Sequence, residues 1–267
     1  MKVGCLCVSE SRHQWRPHLF HIAAASYFDQ THPDTDIVVI TGEPEEYEAA
    51  LDGVGTVIQS DLRGTATVCA RMDQGCRHLA DRGCNLIAIW DDDDWKHPSF
   101  LAECVKQLSG EPYKEVCLGG CRHVDPSRWV VTGYLWGLYV NARHLWAEDL
   151  SKFPHISPWG YWGSTLVFRT EAWIARPWGQ FTFPGQDPAW CRSWSKDQWA
   201  PPVDTDPYKA LAFCHGDNIY QHCRGGGFDL KPWLERGVSE SVREAIYKVR
   251  EMMIADGHEP PQCNRPY

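Results

Sequence analysis

Apolar segments typical of β-strands alternate with segments of helical periodicity over the first ~110 residues of the chain. Strands and helices that alternate in this way build a mostly parallel sheet covered by helices. The sequence therefore predicts an α/β fold with a central sheet flanked by helices. The predicted strands are 2–8, 36–41, 56–58 and 86–90, and the predicted helices are 18–28, 44–51, 66–80 and 100–108.

The remaining sequence has weaker periodicity. Strands are predicted at 118–120, 129–132 and 161–168, and a short helix at 170–175. Residues 181–207 are rich in Trp, Pro and Asp and have no clear period, which favours a substrate region built from loops.

The C-terminal part of the chain predicts one helix and a tail. Ser241 and Glu244 have the spacing of a capping box, and apolar residues over 242–253 follow a helical stripe. The last residues, 257–267, contain three prolines and are expected to be extended.

Composition limits the classes of function. Lys and Arg number 26 against 35 Asp and Glu, so the net charge of -9 argues against broad electrostatic attachment to nucleic acid. No apolar run approaches the ~20 residues that a membrane-spanning helix needs, so integral membrane insertion is not expected. The 12 cysteines lack paired zinc-ligand spacing, and no signal-peptide pattern precedes them. We expect reduced thiols that fill the core of a cytoplasmic protein.

Four consecutive acids follow the predicted strand 86–90. The run Trp90-Asp91-Asp92-Asp93-Asp94-Trp95 begins where the apolar stretch ends. Most acidic runs are solvated loops, but ligands of open α/β sheets bind beyond the carboxyl ends of the strands. Adjacent carboxylates also raise one another's pKa unless a cation compensates them. The position of the run therefore favours a metal or phosphate site.

The acidic run and four other segments resemble GT-A-fold glycosyltransferases of the family-2 type. Ile89 to Pro98 is similar to the family's Asp-x-Asp-Asp segment with its following proline. The other four segments are Arg63-Gly64-Thr65-Ala66 with Ala70 to Gly75, Trp162 to Arg169, Gln186-Asp187, and His215-Gly216-Asp217-Asn218. Gln186 stands where the family usually has Glu. The resemblance covers roughly Lys2 to His222.

The resemblance implies a divalent metal, Mn²⁺ or Mg²⁺, and a nucleotide-diphosphate sugar as donor. Asp93 and Asp94 are the implied metal ligands, and Asp94 is alternatively a sugar ligand. His215 is a further implied ligand, which suits Mn²⁺ better than Mg²⁺. Asp91 would face the ribose or metal-bound waters, and Asp92 either accompanies it at the nucleotide or is solvated.

The resemblance also places the nucleotide beside the ends of the first strands. Ser9, Glu10 and Arg12 follow the first strand, where this fold holds the base. Asp36 begins the second strand and Asp61 follows the third, and either can contact base or ribose. Arg71 can bind the diphosphate through its guanidinium fork, or make a surface ion pair on its helix. These five residues and Arg71 are the candidate contacts of the donor.

Asp187 is the candidate general base, which would deprotonate an acceptor hydroxyl as it attacks the anomeric carbon. The alternative for Asp187 is capping of a helix before Pro188. Family membership implies inversion at the anomeric carbon. Candidate walls of the acceptor pocket are the aromatic residues Trp159, Tyr161, Trp162 and Trp190.

The leading hypothesis is a metal-dependent, inverting glycosyltransferase, a hexosyl- or pentosyltransferase, that transfers a sugar from a nucleotide donor to a hydroxyl acceptor. Residues 1–110 would form its nucleotide-sugar half, 111–236 its acceptor-binding and catalytic half, and 237–267 a C-terminal helix and tail. A saccharide acceptor is favoured. One alternative is transfer to hydroxymethylated pyrimidines in DNA, which needs a basic channel and a reachable base. A non-catalytic module that binds nucleotide sugars, and a nucleotidyltransferase, are the others.

Overall fold

The fold is given by a computed structural model. It describes residues 1–9, 16–61, 66–110, 113–117, 120–134, 138–141, 143, 146–149, 163–181, 186–195, 198–201, 203, 206–214 and 228–257. Of the cysteines in these ranges, seven are free and buried, in agreement with their predicted role as small core residues.

The described strands and helices agree with the α/β fold that the sequence predicts. The strands are β1 (Val3–Val8), β2 (Thr35–Thr41), β3 (Thr56–Gln59), β4 (Leu86–Ile89), β5 (Asp94–Lys96), β6 (Tyr113–Cys117), β7 (Gly120–Val124), β8 (Val131–Thr132), β9 (Leu138–Asn141), β10 (Trp146–Asp149), β11 (Val167–Arg169), β12 (Ala210–Cys214) and β13 (Phe228–Asp229). The helices are α1 (Arg16–Phe28), α2 (Pro44–Leu51), α3 (Ala66–Asp81), α4 (Phe100–Leu108), α5 (Thr170–Ala175), α6 (Gln186–Arg192), α7 (Lys231–Gly237) and α8 (Glu240–Ala255).

The main sheet has six strands in the order β3-β2-β1-β4-β11-β8. The first four run parallel, with Val3 of β1 opposite both Thr35 of β2 and Leu86 of β4. β11 is antiparallel to β4 and to β8. The carboxyl ends of β1 to β4 consequently meet at one edge of the sheet, as the sequence predicts.

Helix α3 packs closely on the main sheet because glycines stand at the contact. A Cβ atom on Gly75 would lie 2.2 Å from a methyl carbon of Leu6, and one on Gly4 would lie 2.7 Å from a methyl carbon of Leu79. No side chain can approach another atom so closely without a shift, so glycine brings the helix near β1. Arg71, one turn before Gly75, thereby reaches the carboxyl edge of the sheet.

A second sheet has five strands in the order β13-β10-β9-β12-β5. Its edge strand β5 begins at Asp94, so the last acid of the run is part of a strand. The sequence analysis predicts no strand at this position. A turn at Asp92 and Asp93 connects β4 of the main sheet with β5 of the second sheet.

The C-terminal helices pack against the second sheet and α1. Trp95 of β5 contacts Trp233 of α7 edge-on, with ring centroids 5.5 Å apart, and Val242 and Ile246 of α8 belong to the same apolar cluster. The N-cap of α8 is Ser239, whose hydroxyl accepts from the backbone N–H of Val242. The predicted cap at Ser241 is therefore two residues too late.

Two further predictions need correction. Residues 181–207 contain helix α6, which the sequence interpretation missed because its seven residues are too few to show a clear period. Strand 161–168 was predicted too early, since Gly163–Thr165 is a 3-10 turn and β11 begins at Val167. Among the described residues, none of the helices has the length and apolar character to cross a membrane.

Candidate functional site

Three of the four consecutive acids come together at the junction of the two sheets. Asp91, Asp93 and Asp94 each offer a carboxylate oxygen, and these oxygens all lie within 4.8 Å of one another. Asp93 and Asp94 are buried, whereas Asp91 is partly exposed. We call these three residues the acidic cluster. The structure thus brings together Asp93 and Asp94, two of the three predicted metal ligands, with Asp91.

Backbone hydrogen bonds on both sides fix the acidic cluster. The N–H of Trp90 donates to the carbonyl of Leu6 at 2.8 Å, which anchors the start of the run to β1. The N–H of Phe213 donates to the carbonyl of Asp93 at 3.1 Å, and Ala212 lies opposite Asp94 in the β5–β12 ladder. The carboxylates are therefore held by the main sheet and by the second sheet.

The donor set of the acidic cluster fits a divalent cation. Mg²⁺ and Mn²⁺ prefer hard oxygen ligands, and three carboxylates leave coordination positions for phosphate oxygens or water. The buried location also favours binding of a cation. Carboxylates this close together repel one another in a medium of low dielectric constant, and a cation would relieve that repulsion.

The pKa of Asp94 shows how strongly the site resists an uncompensated charge. Burial raises the pKa of this carboxyl to about 7. The positive charge of Lys96 and the nearby Ser164 hydroxyl oppose the rise, whereas the carboxylates of Asp93 and Asp92 add to it. A bound cation would favour the ionised form in the same way that Lys96 does.

The affinity of the acidic cluster for Mn²⁺ is expected to increase with pH. A metal ion must displace the proton that Asp94 holds below its pKa of about 7. The dissociation constant should fall by up to about tenfold per pH unit below that pKa and level off above it. Manganese titrations at several pH values, followed by electron paramagnetic resonance, measure this dependence. A flat profile in the wild-type protein would contradict the assignment.

The same carboxyl has the opposite effect on folding: without metal, the stability contribution of Asp94 decreases as the pH rises. Because the folded-state pKa lies above the ordinary aspartate value of 3.8, Asp94 favours the folded state below pH 3.8, and this contribution disappears as the pH rises through about 7. Thermal unfolding without metal should therefore show the stability contribution of Asp94 declining over this interval. Asp94→Asn should remove that part of the pH dependence, because the amide does not titrate in this range.

Lys96 is a buried cation whose charge acts on Asp94 of the acidic cluster, and the sequence analysis does not predict this role. Its side chain is 0% exposed, and its ammonium nitrogen lies 4.5 Å from the centroid of the Trp90 ring. The ammonium makes no hydrogen bond within the part of the chain that the structure describes. Lys96 and Asp94 are two residues apart in β5, so their side chains lie on the same face of the strand. The sequence analysis does not predict β5 and therefore does not predict this arrangement.

Asp92 anchors the acidic turn. Its buried carboxylate accepts a hydrogen bond from the hydroxyl of Ser9, which is also hydrogen-bonded to the hydroxyl of Tyr47. The sequence-based option that Asp92 is solvated is wrong, because the turn directs this side chain toward Ser9, which follows β1 and contacts Tyr47 of α2. The network also buries Ser9, a candidate contact of the nucleotide base.

Arg71 lies at the carboxyl edge of the main sheet and is 3% exposed. Its guanidinium donates to the carbonyl of Ser9 at 3.3 Å and to the carbonyl of Ser60 at 3.5 Å. These carbonyls follow β1 and β3, so Arg71 connects the two strand ends. Its burial excludes the alternative of a surface ion pair, and contact with a diphosphate stays a prediction.

The two other acids predicted near the nucleotide lie at different edges of the sheet. Asp61 is exposed directly after β3, on the edge that carries the acidic cluster. Asp36 lies at the start of β2, opposite Gly4, and forms ion pairs with Lys2 at 3.3 Å and with Arg82. The prediction for Asp36 is wrong, because the start of a parallel strand lies at the opposite edge from its carboxyl end.

Trp190 lies in the core and not on an acceptor pocket. It is 0% exposed, its ring centroid lies 4.9 Å from that of Phe168 and 5.0 Å from that of Trp178, and its indole N–H donates to the carbonyl of Arg176 at 2.8 Å. The prediction for this residue is wrong. Helix α6 buries Trp190 against β11, as large aromatic side chains commonly do.

Several candidates fall outside the described residues. They are Glu10, Arg12, Trp159, Tyr161, Trp162 and His215. Asp187 is the second residue of α6, but only its backbone is described. β12 runs antiparallel to β5 and ends at Cys214, the residue before His215.

Comparison with known proteins identifies the fold. No protein-family model matches the sequence, and no curated protein matches it significantly. Two solved structures are similar over most of the chain: a mannosyltransferase, PcManGT, from Pyrobaculum calidifontis in complex with GDP-Man and Mn²⁺, and S. aureus TarS 1–349 in complex with UDP-GlcNAc.

The similarity to both solved structures lies in the fold. For PcManGT the TM-score is 0.52 at 12% identity, with 97% of this chain and 76% of that chain covered. For TarS the TM-score is 0.53 at 10% identity, with 96% of this chain and 73% of that chain covered. The protein has the GT-A fold, as the sequence resemblance implied.

Proposed function

We propose that this protein is a metal-dependent, inverting glycosyltransferase that transfers a sugar from a nucleotide-diphosphate donor to a hydroxyl acceptor. The observation that carries the proposal is the acidic cluster, placed at the carboxyl edge of a GT-A sheet. Chemistry of this kind needs charge compensation on a diphosphate leaving group, and the three carboxylates provide oxygen ligands for a cation that supplies it.

The cation would be held by Asp93 and Asp94, with Asp91 directed toward its waters or the ribose. Bound there, it supplies a Lewis acid for the departing diphosphate and a template that orients the donor. His215 is proposed as a further ligand because β12, which ends one residue before it, pairs with the strand that carries Asp94. Imidazole suits Mn²⁺ better than Mg²⁺, so Mn²⁺ is the favoured ion.

The donor nucleotide is proposed to lie over the ends of β1 to β3. Ser9, Asp61 and Arg71 of the described residues border this edge, and Glu10 and Arg12 follow Ser9 in the sequence. The buried guanidinium of Arg71 offers positive charge close to the diphosphate. Residues 1–110 would then bind the donor, and residues 111–236 would bind the acceptor and supply the base.

Asp187 is proposed as the general base. As the second residue of α6, it lies in the first turn of a helix, where backbone N–H groups favour a carboxylate. The base would accept the proton of the acceptor hydroxyl as its oxygen attacks the anomeric carbon. Attack from the face opposite the leaving diphosphate inverts that carbon.

A saccharide is the favoured acceptor, with Trp159 and Trp162 as candidate walls of its pocket. Indole rings provide flat apolar faces for sugar rings, and the net charge of -9 disfavours a DNA substrate. No contact in the described part of the structure favours the DNA-base reaction. The protein is proposed to act in the cytoplasm.

A panel of nucleotide sugars tests the proposal. UDP-GlcNAc and GDP-mannose are the first donors to try, since the two similar structures contain them. A donor at about 100 times its dissociation constant should stabilise the fold by about 2.7 kcal/mol and raise the melting temperature by about 5–10 °C. The shift should require Mn²⁺ or Mg²⁺. Absence of a metal-dependent shift across UDP-, GDP-, ADP- and dTDP-sugars would overturn the proposal.

A further inference from the structure

The hydroxyl of Ser164 is buried and interacts with Asp94 of the acidic cluster, and the proposed function gives it no role. Ser164 belongs to the 3-10 turn Gly163–Thr165, which contacts β4, the strand that leads into the acids. The residue is 7% exposed, and its hydroxyl oxygen makes no well-formed hydrogen bond to any residue that the structure describes. A buried hydroxyl without a partner lowers stability, so it calls for an explanation.

The backbone around Ser164 is fixed on both sides. The hydroxyl of Thr165 donates to the carbonyl of Tyr134 and accepts from its N–H, both at 3.1 Å. The carbonyl of Leu166 accepts from the N–H of Ile89 at 2.8 Å. A Cβ atom on Gly133 would lie 2.6 Å from the carbonyl oxygen of Thr165, so the segments also approach closely. Ser164 is therefore held in place independently of any ligand.

The group that Ser164 faces is Asp94. Its hydroxyl acts as a donor toward that carboxylate and favours the ionised form, as Lys96 does with its positive charge. The hydroxyl interacts with this carboxylate but makes no well-formed hydrogen bond to a described residue. A small rotation of either side chain would complete it, because a hydroxyl hydrogen rotates freely to suit its acceptor.

We propose that Ser164 is a positioning residue, which donates a hydrogen bond to the Asp94 carboxylate when that carboxylate ligates a divalent cation. The inference rests on the metal-dependent part of the proposed function. A carboxylate ligand uses one oxygen for the metal, and a donor to the other oxygen fixes its orientation. Ser164 meets that requirement: it is buried, rigidly held, and has a hydroxyl hydrogen available.

Direct measurement of Mn²⁺ binding tests the role of Ser164. Electron paramagnetic resonance of free Mn²⁺ gives the dissociation constant with UDP or GDP present, and no turnover is required. Ser164→Ala should raise that constant by about 10–100-fold, the usual effect of losing an outer hydrogen bond to a metal ligand. Ser164→Thr, which keeps the hydroxyl, should bind nearly as tightly as the wild type.

The matched control is Ser193→Ala, which removes the hydroxyl that donates to the carbonyl of Trp190 at 2.6 Å, away from the acids. It should leave Mn²⁺ affinity unchanged. If Ser164→Ala does not fold, Ser164→Cys provides the test, since a thiol of similar size is a weak donor and should also weaken binding. Wild-type affinity in the folded Ala or Cys variant overturns the inference while the proposed function stands. Absence of Mn²⁺ binding in the wild type with either nucleotide overturns both.

Discussion

Replacing Asp93 by Ala is expected to abolish the metal-dependent stabilisation by a nucleotide sugar and to lower the rate of transfer by roughly a thousandfold or more. Asp93 is a buried member of the acidic cluster, so its loss leaves only Asp91 and Asp94 of the three carboxylates to hold the cation. Thermal shifts with and without Mn²⁺, together with the rate of transfer, measure the effect.

The melting temperature without metal separates loss of function from loss of fold. Removing one carboxylate from a cluster of like charges should not destabilise the metal-free protein, because the remaining acids repel one another less. The control is Asp81→Ala, an exposed acid at the last position of α3. It should keep the metal-dependent shift. Full stabilisation and turnover in Asp93→Ala would contradict the assignment of the acids.

Replacing Asp187 by Asn is expected to lower turnover by about 10²–10⁴-fold, the usual contribution of a general base. The amide has nearly the same shape but cannot accept the proton of the acceptor hydroxyl. Donor affinity should stay at the wild-type value, since the base contacts the acceptor and not the nucleotide. Initial rates at saturating acceptor, and donor dissociation constants from calorimetry, measure the two quantities.

Glu171→Gln is the matched control for Asp187→Asn. It makes the same change from carboxylate to amide at an exposed position in the first turn of α5. Turnover should not change in this variant. Wild-type turnover in Asp187→Asn would remove Asp187 as the base, whereas parallel loss of donor binding would indicate a role in the donor site or in folding.

The parallel half of the fold could be predicted from the sequence because its signals are local. β1, β2 and β4 are apolar runs, and α3 carries apolar residues at helical spacing, so each element is recognisable by itself. The carboxyl-edge rule then placed the acids correctly, because the acids follow β4 directly in the sequence.

The second sheet could not be predicted, because its strands depend on tertiary contacts. β5 has three residues, of which two are charged, and it is a strand only because β12 pairs with it. The pattern Asp94-Trp95-Lys96 carries no hydrophobic signal of its own. For the same reason nothing in the sequence indicates that Lys96 and Ser164 interact with Asp94.

The two wrong predictions of site residues have the same physical cause. Asp36 and Trp190 have side chains that suit nucleotide and sugar contacts, but the fold gives them other partners. Asp36 compensates Lys2 and Arg82 at the far edge of the sheet, and Trp190 fills the core between α6 and β11. Residue type alone could not distinguish these environments. Once the sheet is known, the position of Asp36 at the start of β2 excludes it from the nucleotide site, which lies at the carboxyl ends of the strands.

Donor turnover by the wild-type protein is the decisive test of sugar transfer. The nucleotide sugar that gives the largest metal-dependent thermal shift is incubated with Mn²⁺ and candidate saccharide acceptors, and mass spectrometry follows the nucleoside diphosphate and the product. We expect release of the diphosphate and formation of a glycosylated product with Mn²⁺, and neither after chelation or in Asp93→Ala. Tight, metal-dependent binding of a nucleotide sugar without hydrolysis or transfer to any acceptor would contradict glycosyltransferase activity and establish a binding module instead.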